Sequence, residues 1–189
     1  LISKIAISNS DITVVPSTYF LEEVKHVKLP LKMYKYPSGG VNRKKFYPIS
    51  SKHHFGGEPQ RGIKIGYVGR IDVGKGLDVL LNSLKYLKFD YQLTVVGKGP
   101  LLSSYIDLAE ANNLNVSFVG AVPQEDLLSY YNNFDVLVFP TMRTGESFGN
   151  VGIECMACGT PVIASNFAGP TEYVKQGVNG FFFEKGDLL

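Results

Sequence analysis

From residue 63 to residue 183 the sequence repeats one unit: a short apolar run, a turn rich in Gly or Pro, then apolar residues three and four apart. Segments 63–68, 92–96, 116–119, 135–139, 161–164 and 180–183 read as strands. Helices are expected over 76–87, 100–112, 124–131 and 149–158, with a short one over 169–175. Strands this apolar are buried on both faces, and strand–helix–strand order joins parallel neighbours. The class predicted is therefore α/β, a Rossmann-like doubly wound parallel sheet, which takes its ligands outside the carboxyl ends of the strands. A hydrophobic fraction of 44% with 19% charged residues suits such a core.

The chemistry concentrates after the strand at 135–139. Pro140 closes that strand, a polar loop with Arg143, Thr144, Glu146 and Ser147 follows, and helical spacing begins at about Gly149. A helix start presents unpaired backbone N–H groups and a partial positive charge. Ser147, Phe148, Gly149 and Asn150 would thus form an anion site suited to a phosphate. Glu146 precedes it and Glu154 lies about a turn and a half inside the helix, so one ligand about 10 Å long could touch both. Two solvated glutamates at this spacing are the plain alternative.

Two further glycine loops end strands. Residues 69–76, GRIDVGKG, nearly spell the phosphate loop of nucleotide hydrolases, but Gly76 offers no hydroxyl to a magnesium ion. Two cations flanking such a turn, Arg70 and Lys75, suit a diphosphate better, against the reading of both as surface charges. Residues 97–100, GKGP, open like a dinucleotide fingerprint, yet the third Gly is missing at position 102. A tight turn accounts for them.

Other classes are disfavoured. Cys155 and Cys158 form C-x-x-C without further Cys, and His26, His53 and His54 are far off in sequence, so both read as reduced core residues rather than zinc ligands. Residues 1–60 carry nine Lys/Arg against four Asp/Glu. That excess reads as a solvated face with room for peripheral contact with a membrane surface, and no nucleic-acid motif accompanies it. No apolar run approaches the roughly 18 residues of a membrane helix. The front should hold a strand at 11–15, a short helix to residue 25, a strand at 33–36 and turn residues at 37–42.

The residues 146–154, ESFGNVGIE, match the E-x7-E motif and resemble the GT-B glycosyltransferases of group 1, the retaining family 4 class that uses nucleotide sugars. Residues 157–165, ACGTPVIAS, are similar to that family too. Asn150 stands where the family has a hydrophobe, Lys98 where it has an acid, and Ala168 where Gly is frequent. The resemblance spans about 60–187 strongly and 10–50 weakly, and Phe46, Tyr47 and Pro48 look like the family's linker tail.

The resemblance implies that residues 1–60 are the end of an acceptor domain plus a linker and that 61–189 are the nucleotide-sugar donor-binding domain of a larger protein. It implies a UDP- or GDP-sugar as donor, a sugar or lipid-linked acceptor, and polysaccharide biosynthesis at or near the inner face of the membrane, in the cytoplasm. With no D-x-D motif, it implies chemistry without a metal or other cofactor. Arg70 and Lys75, in the loop opened by Gly69, would hold the diphosphate. Glu146 would face the sugar hydroxyls, Glu154 the ribose hydroxyls, and backbone near Val122 the base. Glu172 would meet base and ribose or else cap its own short helix. Alternatives kept open are a glycoside hydrolase, a sugar-nucleotide epimerase and a non-catalytic sugar-nucleotide module. The 189-residue chain alone is expected to bind donor weakly without transferring sugar.

Overall fold

The computed structural model describes residues 10–24, 32–36, 39–49, 62–143, 146 and 148–184. In chain order the elements are β1 (Ile12–Val15), α1 (Thr18–Val24), β2 (Lys32–Lys35), β3 (Ile63–Val68), α2 (Leu77–Leu84), β4 (Tyr91–Val96), α3 (Leu102–Ala111) and β5 (Val116–Gly120). They continue with α4 (Leu127–Asn133), β6 (Val136–Phe139), α5 (Asn150–Ala157), β7 (Val162–Ser165), a 3-10 turn (Gly169–Glu172) and β8 (Gly180–Phe183).

Strands β3 to β8 form one parallel sheet in the order β5-β4-β3-β6-β7-β8, and β1 pairs with β2 in a separate parallel ribbon. The doubly wound class expected from the alternation is the one observed. Its order reverses between β3 and β6, where the connections that leave these two strands pass to opposite faces through α2 and α5, opening a crevice at the carboxyl ends.

Period-two alternation divides the strand side chains between two cores. Ile65, Tyr67, Leu93, Val95 and Val138 face one side. There Leu77, Leu80, Leu81 and Leu84, spaced along one stripe of α2, cover them. Leu137, Phe139, Val162 and Ala164 face the other side, against Tyr131 and Phe134 at the end of α4 and Cys155 and Cys158 at the end of α5. Both cysteines stay reduced and fully buried, as core residues of small volume.

Phe46, read as part of a linker tail, inserts into this second core with its ring 5.6 Å from that of Tyr131. The Asn132 side chain clamps the backbone just after Phe46, on either side of Pro48, donating to the Tyr47 carbonyl and accepting from the Ile49 N–H. The linker expected over 50–60 lies outside the described residues.

One element differs in kind. The short helix expected over 169–175 is a 3-10 turn ending at Glu172. The Asn179 side chain takes the Lys175 N–H and donates to the Tyr173 carbonyl, binding the groups that a longer helix would have used.

Candidate functional site

The loops after β3 and β4 meet at the crevice through backbone alone. Gly69 N–H donates to the Val96 carbonyl, and Ile71 N–H to that of Lys98, both at 3.0 Å. A Cβ on Gly97 or Gly99 would lie 1.8 Å from the Gly69 carbonyl oxygen or 1.9 Å from that of Ile71. The glycines of GKGP therefore serve loop-to-loop contact, the tight turn expected of them. They border a cleft of about 720 Å³ whose lining includes Gly69, Arg70, Lys98, Val122 and Leu127. Arg70 reaches this cleft with its side chain 66% exposed and its Nε 3.0 Å from the Asp72 carboxylate.

A smaller pocket of about 100 Å³ shares Val68 and Gly69 with that cleft and is closed by Lys75, Phe139, Glu146, Gly149 and Asn150. Here the loops after β3 and β6 are joined by the Met142 N–H bond to the Gly74 carbonyl, at 2.7 Å. The Lys75 ammonium sits 2.5 Å from Glu146 Oε2, and the Thr141 hydroxyl adds a 3.3 Å bond to the same oxygen. Residues 71 apart in sequence thus make one charge-balanced cluster.

Gly149 starts α5 in the left-handed region, φ 78° and ψ 60°, and among the described residues no side chain caps the helix. The Gly152 N–H turns back to the Gly149 carbonyl at 3.0 Å, so the helix-start N–H groups at the pocket are those of Asn150 and Val151. Only Gly holds this conformation without strain, and a Cβ would meet the Phe139 ring at 2.7 Å. The Tyr173 hydroxyl, donating to the Gly149 carbonyl at 3.0 Å, supports the turn from behind. Burial pushes the Tyr173 hydroxyl well above its ordinary range, so it stays a donor. Phe148 lies against the Tyr173 ring, centroids 5.4 Å apart.

The other expected residues are spread more widely. Ser147 lies outside the described residues. Glu154 lines neither cavity: it is 8% exposed, and its carboxylate accepts from the Tyr131 hydroxyl at 2.9 Å. Burial raises its pKa, and Tyr131 and the Gln124 side chain offset that only in part. Of the two readings of Glu172 made from sequence, the fold decides only the cap. It does not cap its own turn, and both of its carboxylate oxygens are taken by the front of the chain, Oε1 by the Thr18 N–H at 2.6 Å and Oε2 by Lys35 at 3.1 Å. Tyr131, Tyr173 and Thr141 were not singled out from sequence. Tyr131 and Tyr173 act on residues 23 and 24 positions away that the fold brings close, whereas Thr141 acts within its own loop, five positions from Glu146.

The family described as glycosyl transferases, group 1, matches residues 49–188, most of the chain. The chain belongs to the group 1 glycosyltransferases. Among its relatives in this family is the capsular polysaccharide biosynthesis glycosyltransferase CapM of Staphylococcus aureus, 41% identical over 132 residues, covering 66% of this chain and 33% of CapM. The D-inositol 3-phosphate glycosyltransferase of Streptosporangium roseum is 35% identical over 164 residues, 78% of this chain and 37% of that enzyme.

Among solved glycosyltransferase-fold structures, sucrose-phosphate synthase from Thermosynechococcus elongatus superposes with a TM-score of 0.84 at 30% identity, covering 99% of this chain and 48% of that one. Anabaena HepE, crystallised with UDP and glucose, has a TM-score of 0.73 over 96% of this chain and 52% of its own, and at 20% identity speaks to the fold alone. The group 1 chain spans about a third to a half of the length of these relatives. Its six-stranded body is the Rossmann-like half of a GT-B architecture.

Proposed function

We propose that the six-stranded body binds the nucleoside-diphosphate sugar, a UDP- or GDP-sugar, for a retaining family 4 glycosyltransferase, and that residues 1–60 belong to the acceptor side and the linker. The observation that carries this reading is the convergence of Lys75, Glu146 and the helix start at Gly149 and Asn150 in one pocket opening beside the larger cleft. A nucleoside fits the cleft, with its base near Val122, while its diphosphate reaches the pocket along Gly69.

Bond breaking at the anomeric carbon leaves the electron pair on the diphosphate. Lys75, Arg70 and the N–H groups of Asn150 and Val151 stand where that charge develops, which lowers the barrier without requiring a metal. Lys75 and Thr141 orient Glu146 toward the sugar side. Glu154, held by Tyr131, serves the ribose end. The HepE complex with UDP and glucose supports the ligand class by analogy of fold, and the relation to CapM supports a glycan or lipid-linked acceptor in polysaccharide biosynthesis. Cytoplasmic placement, with peripheral contact at the inner membrane face, goes with that reading.

The test is to incubate the complete enzyme with a panel of nucleotide sugars and follow nucleotide release with and without acceptors. Acceptor-dependent release with the anomeric configuration kept is expected. Release that ignores acceptor favours a hydrolase, and epimerised donor favours an epimerase.

A further inference from the structure

The front unit, β1 to β2, approaches the six-stranded body on the same side as the donor pocket. Its contacts fall on residues 148–172. The Tyr19 ring meets the Phe167 ring edge-on, with centroids 4.8 Å apart. Gly39 approaches so closely that a Cβ there would lie 2.1 Å from Asn150 Oδ1 and 2.4 Å from the Phe148 ring. Glu172 makes the polar contact, with one oxygen on the Thr18 N–H and the other on the Lys35 ammonium, which also bonds the Thr18 hydroxyl at 3.1 Å.

We propose that Glu172 is a positioning residue, fixing the front segment in register over the rim of the donor site. Thr18 is the first residue of α1, and its N–H has no partner within the helix. A carboxylate carried by the other body supplies that partner, joining the two units through a charged hydrogen bond and an ion pair at one point.

The presenting turn is stiff. Ala168 at its start is fully buried with φ 54°, a conformation a non-Gly residue holds only when its surroundings impose it. The Thr171 hydroxyl and the Tyr173 N–H both bond back within the turn. Glu172 itself is only 16% exposed. Burial alone would raise its pKa, and the bonds from Thr18 and Lys35 outweigh burial and hold it below the ordinary glutamate range. Gly39 and Asn150 carry the registration to the pocket wall, because Asn150 lines the pocket with Lys75 and Glu146.

Hydrogen exchange on the 189-residue chain tests this without any nucleotide. In Glu172→Ala the amides of 18–24 should exchange roughly tenfold to a hundredfold faster, while β3, β4, β6 and β7 keep their protection. Glu172→Gln, which retains an acceptor but loses the ion pair, should fall between Ala and the native residue. Lys35→Met, on the exposed partner, should loosen the same segment without touching the core. Unchanged protection of 18–24 in Glu172→Ala, or equal acceleration across the sheet, overturns the proposal. The consequence for catalysis rests on the transferase reading: in the complete enzyme the Glu172→Ala defect should fall on kcat at saturating donor. A rise in donor KM with kcat unchanged would instead make Glu172 a donor contact and overturn the assignment.

Discussion

The two carboxylates of the E-x7-E stretch are alike in sequence and opposite in environment. Glu146 is at the pocket wall, 14% exposed, with its charge met by the Lys75 ammonium. Glu154 is inside, where the neutral Tyr131 hydroxyl bonds it and burial disfavours its ionised form. The difference separates two kinds of work. A carboxylate balanced by a cation can stay charged beside a diphosphate, whereas a desolvated carboxylate gains from each hydrogen bond that a ligand hydroxyl adds. The proposed sugar end and ribose end come from the resemblance to the family, and this contrast gives each a distinct test.

The sharpest break is at the charged end. Lys75→Ala should weaken nucleoside diphosphate binding roughly tenfold to a hundredfold, the loss of a charge-assisted bond worth about 1.5–3 kcal/mol. It also leaves Glu146 without its cation. Arg70→Ala should weaken binding in the same direction but less, since that side chain is mostly exposed and already paired with Asp72. Equal affinities for native and Lys75→Ala proteins in calorimetric titration would contradict the diphosphate assignment.

At the buried end the larger effect should be on stability. Glu154→Ala strips the Tyr131 hydroxyl of its carboxylate partner inside the core, at a cost of about 1–3 kcal/mol, and thermal denaturation should register a lower midpoint. Glu146→Gln, nearer the surface, should leave the midpoint close to native and act on turnover instead. Identical profiles of stability and kinetics for the two variants would erase the distinction between the ends.

Tyr131→Phe is the smallest and most discriminating change. It removes one bond, worth about 0.5–1.5 kcal/mol. It also removes a contribution that lowers the Glu154 pKa, so that pKa rises further. If ionised Glu154 accepts from the ribose, native donor affinity improves as pH climbs through a value above the ordinary glutamate range. The acid limb of Tyr131→Phe should then lie at higher pH than the native limb. Superimposed limbs would remove Glu154 from the ribose contact.

The fold was legible because its signals are local. Buried parallel strands are apolar runs, so the observed limits Ile63–Val68 and Gly180–Phe183 coincide with those expected. The pocket was legible where chemistry coincides with chain punctuation: Gly149 and Lys75 sit in glycine turns at strand ends, which a parallel sheet gathers along one edge. What stayed hidden is long-range and polar. Glu172 finds Thr18 across 154 positions and Tyr131 finds Glu154 across 23, and no periodicity encodes either pairing. The 3-10 turn was overread as a helix because the Asn179 bonds that end it come from a later loop.

The central claim, that the six-stranded body binds a nucleoside diphosphate by itself, meets its most direct test in calorimetric titration of the 189-residue chain with UDP and with GDP. Every group assigned to that ligand lies between Gly69 and Glu154, within the body. Weak but saturable binding of at least one nucleotide, diminished in Lys75→Ala, is the predicted result. A chain that circular dichroism finds folded and that binds neither nucleotide would contradict it.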